Sequence, residues 1–282
     1  VITAYGDFSR EVFEALPQLQ VVSRFGVGYE TIDIPAATDC GVAVCNVPGY
    51  ATEVVSDHAI ALCMAVLRRL PEMNADIRKG IWDPTGHRPM GQVYGRTFGV
   101  VGMGDIGRAV ARKAYGLGFT VICWSHSLVP GRRTPEGYDV VTYEELLKRS
   151  DVVSYHTALV PATHHLLNAD NIALLKRDCI VINTSRGAVI DTATVAQALK
   201  EDKIWGAGID VFEEEPLSKD DPLLDAPHAL LTPHAAYWSE EAGHELRVRA
   251  TQNAIDVVLG YEPHDCLNKQ VFEAGKLKKL LK

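Results

Sequence analysis

Three residues whose side chains could jointly handle charge and protons lie in order along the second half of the chain. They are Arg186 in Asn183-Thr184-Ser185-Arg186-Gly187, Glu215 in Asp210-Val211-Phe212-Glu213-Glu214-Glu215-Pro216, and His234 in Leu231-Thr232-Pro233-His234. Upstream stands the glycine pattern Gly102-Met103-Gly104-Asp105-Ile106-Gly107. A dinucleotide cradle followed by a guanidinium, a carboxylate and an imidazole could move a hydride and a proton between a nucleotide and a 2-oxo acid. Each residue type suits one task. Imidazolium can protonate a carbonyl oxygen near neutral pH. A paired carboxylate would stabilise that imidazolium. A planar guanidinium matches a carboxylate and polarises a carbonyl.

The glycine pattern gains weight from its setting. It follows the apolar run Phe98–Val101 and opens the helical stretch from Arg108 to Gly116. In that setting Gly102 permits a tight turn, Gly104 lets a pyrophosphate approach the backbone, and Gly107 lets the helix pack on the strand. The helix start offers amide donors to phosphates. A carboxylate for the ribose 2′-hydroxyl is expected about 20 residues on. The strand there ends Cys123-Trp124-Ser125-His126-Ser127, without one. Ser125 can bond a hydroxyl or a phosphate. Arg132 and Arg133 either face a 2′-phosphate or form a solvated loop. The cofactor is therefore NAD(H) or NADP(H), with a lean toward NADP(H).

The elements around these motifs alternate. Strands are expected at Val1–Tyr5, Gln20–Phe25, Val42–Asn46, Phe98–Gly102, Phe119–Trp124, Asp151–His156, Cys179–Asn183, Trp205–Asp210 and Ala229–Leu231. Helices are expected at Ser9–Leu16 with Ser9 as N-cap, Pro35–Cys40, Thr52–Leu70, Ala193–Lys200 and Ser239 to about Gly260. Residues 76–96, rich in Gly and Pro, read as an irregular hinge or a dimer-contacting arm, and Lys276–Lys282 as a basic tail. This alternation argues for α/β architecture with parallel sheets.

Composition narrows the partners. With 47% apolar residues the chain can build a sizeable core, and its net charge of −8 carries no basic stripe for nucleic acid. No apolar run approaches the roughly 18 residues that span a membrane. Six scattered cysteines, four of them in apolar stretches, read as buried thiols of a reducing cytoplasm. No His/Cys/Asp cluster has zinc spacing, so no metal is expected.

These motifs, with Arg24-Phe25-Gly26-Val27-Gly28-Tyr29, resemble the D-isomer-specific 2-hydroxyacid dehydrogenases over nearly the whole chain. Arg186 and Glu215 stand 29 residues apart and His234 a further 19 on, as in that family. The resemblance implies a Rossmann-type doubly wound cofactor domain at 53–236. A smaller flavodoxin-like α/β substrate domain would be built from 1–52 and 237–282, with the active site in the cleft between the two. It implies His234 as general acid and base, Glu215 as its partner, and Arg186 on the substrate carboxylate with the amides of Val27 and Gly28. Asp210 would hold the nicotinamide amide. Asp105, Ile106, Ser125, His126 and Thr184 would complete the cofactor site beside Gly102, Gly104 and Gly107.

Tyr237-Trp238 is similar to an aromatic pair in the C-terminal-binding proteins, the corepressor branch. There Tyr237 either walls the substrate pocket or packs on the last helix. That likeness keeps an alternative open: an NAD(H)-sensing interaction protein with little turnover. A formate- or phosphite-type dehydrogenase is a further rival, although formate dehydrogenases carry Gln where Glu215 stands. His58 is expected simply to pack on its helix, and His164-His165 to lie near the cofactor. Family members begin with two more strand–helix units, about 50 residues, so the chain is expected to be N-terminally incomplete. A homodimer through the cofactor domain is the family's habit.

Overall fold

The computed structural model describes residues 1–88, 90–273, 275 and 277. The expected basic tail therefore lies, apart from Leu277, outside the described residues, as does Pro89 of the Gly/Pro-rich segment. The chain divides into two compact units, one of Val1–Ala51 with Trp238–Lys282 and the other of Thr52–Tyr237.

The first unit opens with β1 (Ile2–Thr3), α1 (Arg10–Ala15), β2 (Val21–Arg24), α2 (Ile34–Asp39) and β3 (Ala43–Cys45). Its three strands pair in parallel in the order β1-β2-β3. Alternation along β2 and β3 sends Val22 and Val44 into a cluster with Phe8, Phe13 and Ala37. Val21, Ala43 and Cys45 face the other way, onto Val257 and Cys266 of the C-terminal segment. Ser9 stands at the N-cap of α1, but its hydroxyl reaches Glu11 rather than a backbone amide.

The second unit runs α3 (Thr52–Leu67), α4 (Leu70–Arg78), β4 (Thr97–Val101), α5 (Asp105–Gly116), β5 (Thr120–Trp124), β6 (Asp139–Val140), α6 (Tyr143–Arg149), β7 (Val152–Tyr155), β8 (Ile180–Asn183), α7 (Thr192–Lys200), β9 (Gly206–Ile209) and β10 (Ala229–Leu231). Its seven strands are parallel in the order β10-β9-β8-β7-β4-β5-β6. Period-two alternation divides the core. Phe98, Val100, Ile180 and Ile182 face a cluster shared with α3 and α5. Val101, Val153, Val181 and Ile209 face one shared with α6 and α7. Helices cover both faces, so the central strands are continuous apolar runs. The chain builds outward from β4 through β5 to β6, then returns to β7 on the other side of β4. That reversal is the switch point where open α/β sheets bind ligands.

Two local features depart from the sequence reading. The expected single helix from Thr52 to Leu70 ends at Leu67, and a second helix occupies Leu70–Arg78, where irregular chain was expected from residue 76. Arg69 breaks the run. It adopts a left-handed φ of 52° and is only 3% exposed. Its guanidinium lies 4.0 Å over the Trp205 ring and donates to the Trp205 carbonyl at 3.2 Å. A distant tryptophan thus fixes the break, and Pro71 restarts the helix in its first turn, where a missing N–H costs nothing. The second departure is β6, which pairs with β5 through Ile122 and Asp139 and leads into α6 through a capping box of Thr142 and Glu145.

The first unit closes with α8 (Glu240–Val258) and α9 (Gln270–Glu273). Ser23 donates to the Ala250 carbonyl at 2.8 Å, tying β2 to α8. Ser239 caps α8 by accepting from Ala242 N. Among the described residues no helix is long and apolar enough to cross a membrane.

Candidate active site

The three glycines of the β4–α5 turn have different surroundings. Gly102 has φ 95°, and a Cβ there would stand 2.7 Å from the His156 carbonyl of the neighbouring strand end. A Cβ on Gly107 would fall 1.9 Å from the Gly102 carbonyl, so only glycine lets α5 sit this close to the turn. A Cβ on Gly104 would meet nothing within 4 Å. The backbone is thus tight on the protein side and open above Gly104, where α5 begins without a side-chain cap.

Two buried polar atoms at the strand ends of this sheet lack partners: His156 Nδ1, at the end of β7, and Thr184 Oγ1, just past β8. Burial pushes the His156 imidazole down to about 3, so it is neutral. Its other nitrogen contacts Ser154 Oγ at 2.7 Å. Unsatisfied buried polar groups are costly in a closed core. One of them beside the glycine turn, and one at the end of the next strand over, fit a polar ligand such as a dinucleotide.

At the end of β5, Ser125 and His126 follow Trp124 with no carboxylate through Ser127. The chain then folds back along β6. Arg133 pairs with Asp139 at 2.9 Å, and Arg108 of α5 pairs with Glu136. Arg132 is exposed and has no carboxylate partner among the described residues.

Arg186 is set by its own loop. The Asn183 side chain accepts from Ser185 N and Ser185 Oγ at 3.0 and 2.9 Å and donates to the Arg186 carbonyl at 2.9 Å. The Arg186 guanidinium donates to the Ser185 carbonyl at 2.8 Å. A Cβ on Gly187 would lie 1.9 Å from the Phe212 carbonyl carbon, so the Arg186 loop rests on the backbone that leads to Glu215.

Glu215 uses both carboxylate oxygens. Oε1 accepts from Phe212 N at 3.0 Å, which folds the loop on itself, and Oε2 meets His234 Nδ1 at 2.6 Å. A carboxylate only accepts, so Nδ1 carries the proton in this pair and Nε2 is the nitrogen left to exchange one. The imidazole is 41% exposed, within reach of a solvent-borne substrate. Its backbone has φ 50°, and its N–H donates to the Asp210 carbonyl at 2.7 Å. The Tyr237 ring stands edge-on to it, 6.1 Å away at 82°. The next residue, Trp238, instead lies against Gly243 of α8, so the aromatic pair divides between two tasks.

Asp210 is fully buried. Its Oδ1 accepts from Thr232 Oγ1 at 2.5 Å and Ala235 N at 2.9 Å, and its Oδ2 from Ala236 N at 3.0 Å. Both carboxylate oxygens are thus engaged within the protein. Val27 and Gly28 lie in the first unit, after β2; their carbonyls accept from Asn46 Nδ2 and Arg24 Nε, both at 2.8 Å.

Two histidines make side-chain bonds that had no signal in the sequence. His58 does not merely pack on α3; its Nε2 bonds Thr232 Oγ1 at 2.9 Å. His165 Nε2 pairs with Glu213 at 2.9 Å, and Glu213 also accepts from Thr192 N and Oγ1. Burial opposes ionisation of Glu213, but these hydrogen bonds outweigh it and hold the carboxyl below the usual range. Glu213 lies two residues before Glu215, and the only sequence signal for the pair is that adjacency. Among the described residues no group of His, Cys, Asp and Glu could hold a metal ion.

Residues 60–236 match the model of the D-isomer specific 2-hydroxyacid dehydrogenase NAD binding domain. A glyoxylate reductase of Korarchaeum cryptofilum is 42% identical over 264 residues, which cover 93% of this chain and 80% of the relative. The crystal structure of a glyoxylate reductase from Paecilomyes thermophila superposes with a TM-score of 0.83 at 33% identity, covering 94% of this chain and 80% of that one. An acyclic imino acid reductase in complex with NADPH and D-Arg gives a TM-score of 0.84 at 28% identity, over 94% and 84% of the two chains.

Proposed function

The chain belongs to the D-isomer-specific 2-hydroxyacid dehydrogenases, oxidoreductases that use NAD(H) or NADP(H), and from that premise we propose that it reduces a small 2-oxo acid of the glyoxylate class with His234 as the acid. The observation that carries this reading is the 2.6 Å contact between His234 Nδ1 and Glu215 Oε2. It fixes one ring nitrogen and presents the other.

A nicotinamide cofactor held at the Gly102–Gly107 turn would supply the hydride that C2 of the oxo acid needs. His234 Nε2 gives its proton to the carbonyl oxygen, and Glu215 stabilises the charged ring before the transfer. Arg186 holds the substrate carboxylate through its fork and draws charge onto the carbonyl oxygen. The products are the D-2-hydroxy acid and the oxidised cofactor, and the reverse reaction uses His234 as base. Gly102, Gly104, Asp105, Ile106, Gly107, Ser125, His126 and Thr184 take the cofactor, and Tyr237, edge-on to His234, forms a wall of the substrate pocket.

Glyoxylate leads the substrate list because the relatives reported above include two glyoxylate reductases. Those relatives are named for enzymes, which does not favour the corepressor-like alternative. The missing carboxylate after β5 and the unpartnered Arg132 support NADP(H) over NAD(H). The free thiols, five of six buried, support a cytoplasmic setting.

The test is oxidation of NADH and NADPH, in parallel, with glyoxylate, hydroxypyruvate, 3-phosphohydroxypyruvate and branched 2-oxo acids, with Arg186→Ala as control. Turnover that the control loses, fastest with glyoxylate, is the expected result. Tight cofactor binding with no turnover on any acid, and a change of oligomeric state with cofactor, would replace this reading with the sensor.

A further inference from the structure

His58 sits on α3, far in sequence from the residues assigned above, yet it touches their support. Its Nε2 lies 2.9 Å from Thr232 Oγ1 and 3.5 Å from Asp210 Oδ1. The direction of these bonds can be deduced. Asp210 only accepts, and Thr232 Oγ1 approaches it at 2.5 Å, so the threonine proton goes to Asp210. The threonine oxygen is then left only as an acceptor toward His58, and His58 Nε2 must carry a hydrogen.

The chain of bonds ends at His234. The Asp210 carbonyl accepts from His234 N, and its carboxylate accepts from the next two amides, Ala235 N and Ala236 N. Three consecutive amides of one turn thus hang on a single buried residue. That turn needs the support, because His234 has φ 50°, a conformation that a non-glycine residue holds only when its surroundings over-determine it. Thr232 anchors the near side of the same turn. His58 is the donor that reaches this assembly from a separate, well-packed helix.

We infer that His58 is a positioning residue for the reaction, which through Thr232 and Asp210 holds the His234 turn in its left-handed form. The inference rests on His234 being the acid of the proposed reaction. His58 itself transfers no proton to substrate. Its contribution is geometric, and misplacing a reacting group by about 1 Å can cost about 100-fold in rate.

The test uses His58→Leu, His58→Gln, Thr232→Val and the His58→Leu/Thr232→Val double variant, with His234→Ala in parallel. Glutamine can offer an N–H to Thr232 from the same side, whereas leucine cannot. His58→Leu is expected to lower kcat roughly 10- to 100-fold while the KM for cofactor stays within about twofold. His58→Gln should recover most of that loss. Thr232→Val should match His58→Leu, and the double variant should be no worse than either single one, because all break the same chain of bonds. Wild-type kcat in His58→Leu would overturn the inference. So would losses that multiply in the double variant, or a His58→Gln that melts like wild type yet is as slow as His58→Leu. Should His58→Leu fail to fold, the His58→Gln and Thr232→Val pair decides by the same criteria. An active His234→Ala would show that the acid assignment has failed. An inactive His234→Ala beside an unimpaired His58→Leu would remove this inference alone.

Discussion

Replacing Glu215 with Gln puts an amide where His234 Nδ1 now finds an acceptor at 2.6 Å. If the amide nitrogen faces Nδ1, two donors meet. If the amide oxygen does, the imidazole keeps a neutral partner that stabilises its charged form less. Either way kcat should fall by roughly 100- to 10,000-fold, the usual worth of acid–base catalysis, with cofactor binding retained. Steady-state rates beside a cofactor titration check this, and an active variant would move the acid elsewhere. Arg132 offers a second residue-scale test. If it meets a 2′-phosphate, Arg132→Ala should raise the KM for NADPH about tenfold and leave that for NADH alone, since only one dinucleotide loses a charge-assisted bond. Equal effects on both would make Arg132 a solvated loop residue. His156 gives a pH prediction. Burial holds its imidazole at about 3, whereas the unfolded chain titrates near the ordinary value of about 6.5. Between those values the unfolded state binds the proton and the folded state does not. Stability therefore declines as pH falls from about 6.5 toward 3, by at most about 1.4 kcal/mol per pH unit from this group. His156→Gln should flatten that part of the urea-midpoint profile, and parallel profiles would contradict it.

At the scale of elements, two glycines near the site should behave oppositely. A Cβ on Gly187 would strike the Phe212 backbone at 1.9 Å, and backbone cannot swing aside as a side-chain tip can. Gly187→Ala should cost about 1–3 kcal/mol in urea denaturation and reduce activity, because the Arg186 loop must lift from the chain leading to Glu215. Gly104 has open space above it, so Gly104→Ala should melt like wild type yet bind NADPH and NADH more weakly, the added methyl standing where phosphate approaches. A variant that binds cofactor normally would place the pyrophosphate elsewhere. These contrasts also show what the sequence could disclose. The central strands were legible because a parallel sheet covered on both faces demands short apolar runs, and β4, β7 and β8 are such runs. The glycine turn and the order of Arg186, Glu215 and His234 were legible because their chemistry needs those residue types. The break at Arg69 was not, since its cause is Trp205, which no local pattern connects to it. Nor was β6, whose two residues are too few to show a period. His58 and Thr232 meet across 174 positions, so their bond had no signature in either segment.

At the scale of the molecule, the second unit carries apolar side chains that it does not bury. No residue of α4 is buried, and Leu70 and Ile77 of that helix are about half exposed. Just beyond it Trp82 and Tyr94 are 86% and 81% exposed, with Ile81 close by. A nine-residue helix has little stability of its own in water, and scattered single apolar residues would need no explanation. Five large ones within a single stretch of chain, beginning on a helix without a buried face, fit burial by a second copy of the same chain. The cofactor unit would then be the dimerising one. Charge placed in that stretch should separate the copies without touching the site residues. If this stretch joins two copies, the wild type should sediment as a dimer and Ile77→Glu/Trp82→Glu at half that mass, because each copy would have to bury two unpaired carboxylates at the symmetric contact. Retained glyoxylate turnover in that monomer would mean that each chain holds a complete site. Its loss, with cofactor binding intact, would mean that the partner holds the segment from Leu70 to Tyr94 in its working form. A double variant that sediments exactly as the wild type does would instead leave this stretch solvent-facing and place any dimer contact on another surface.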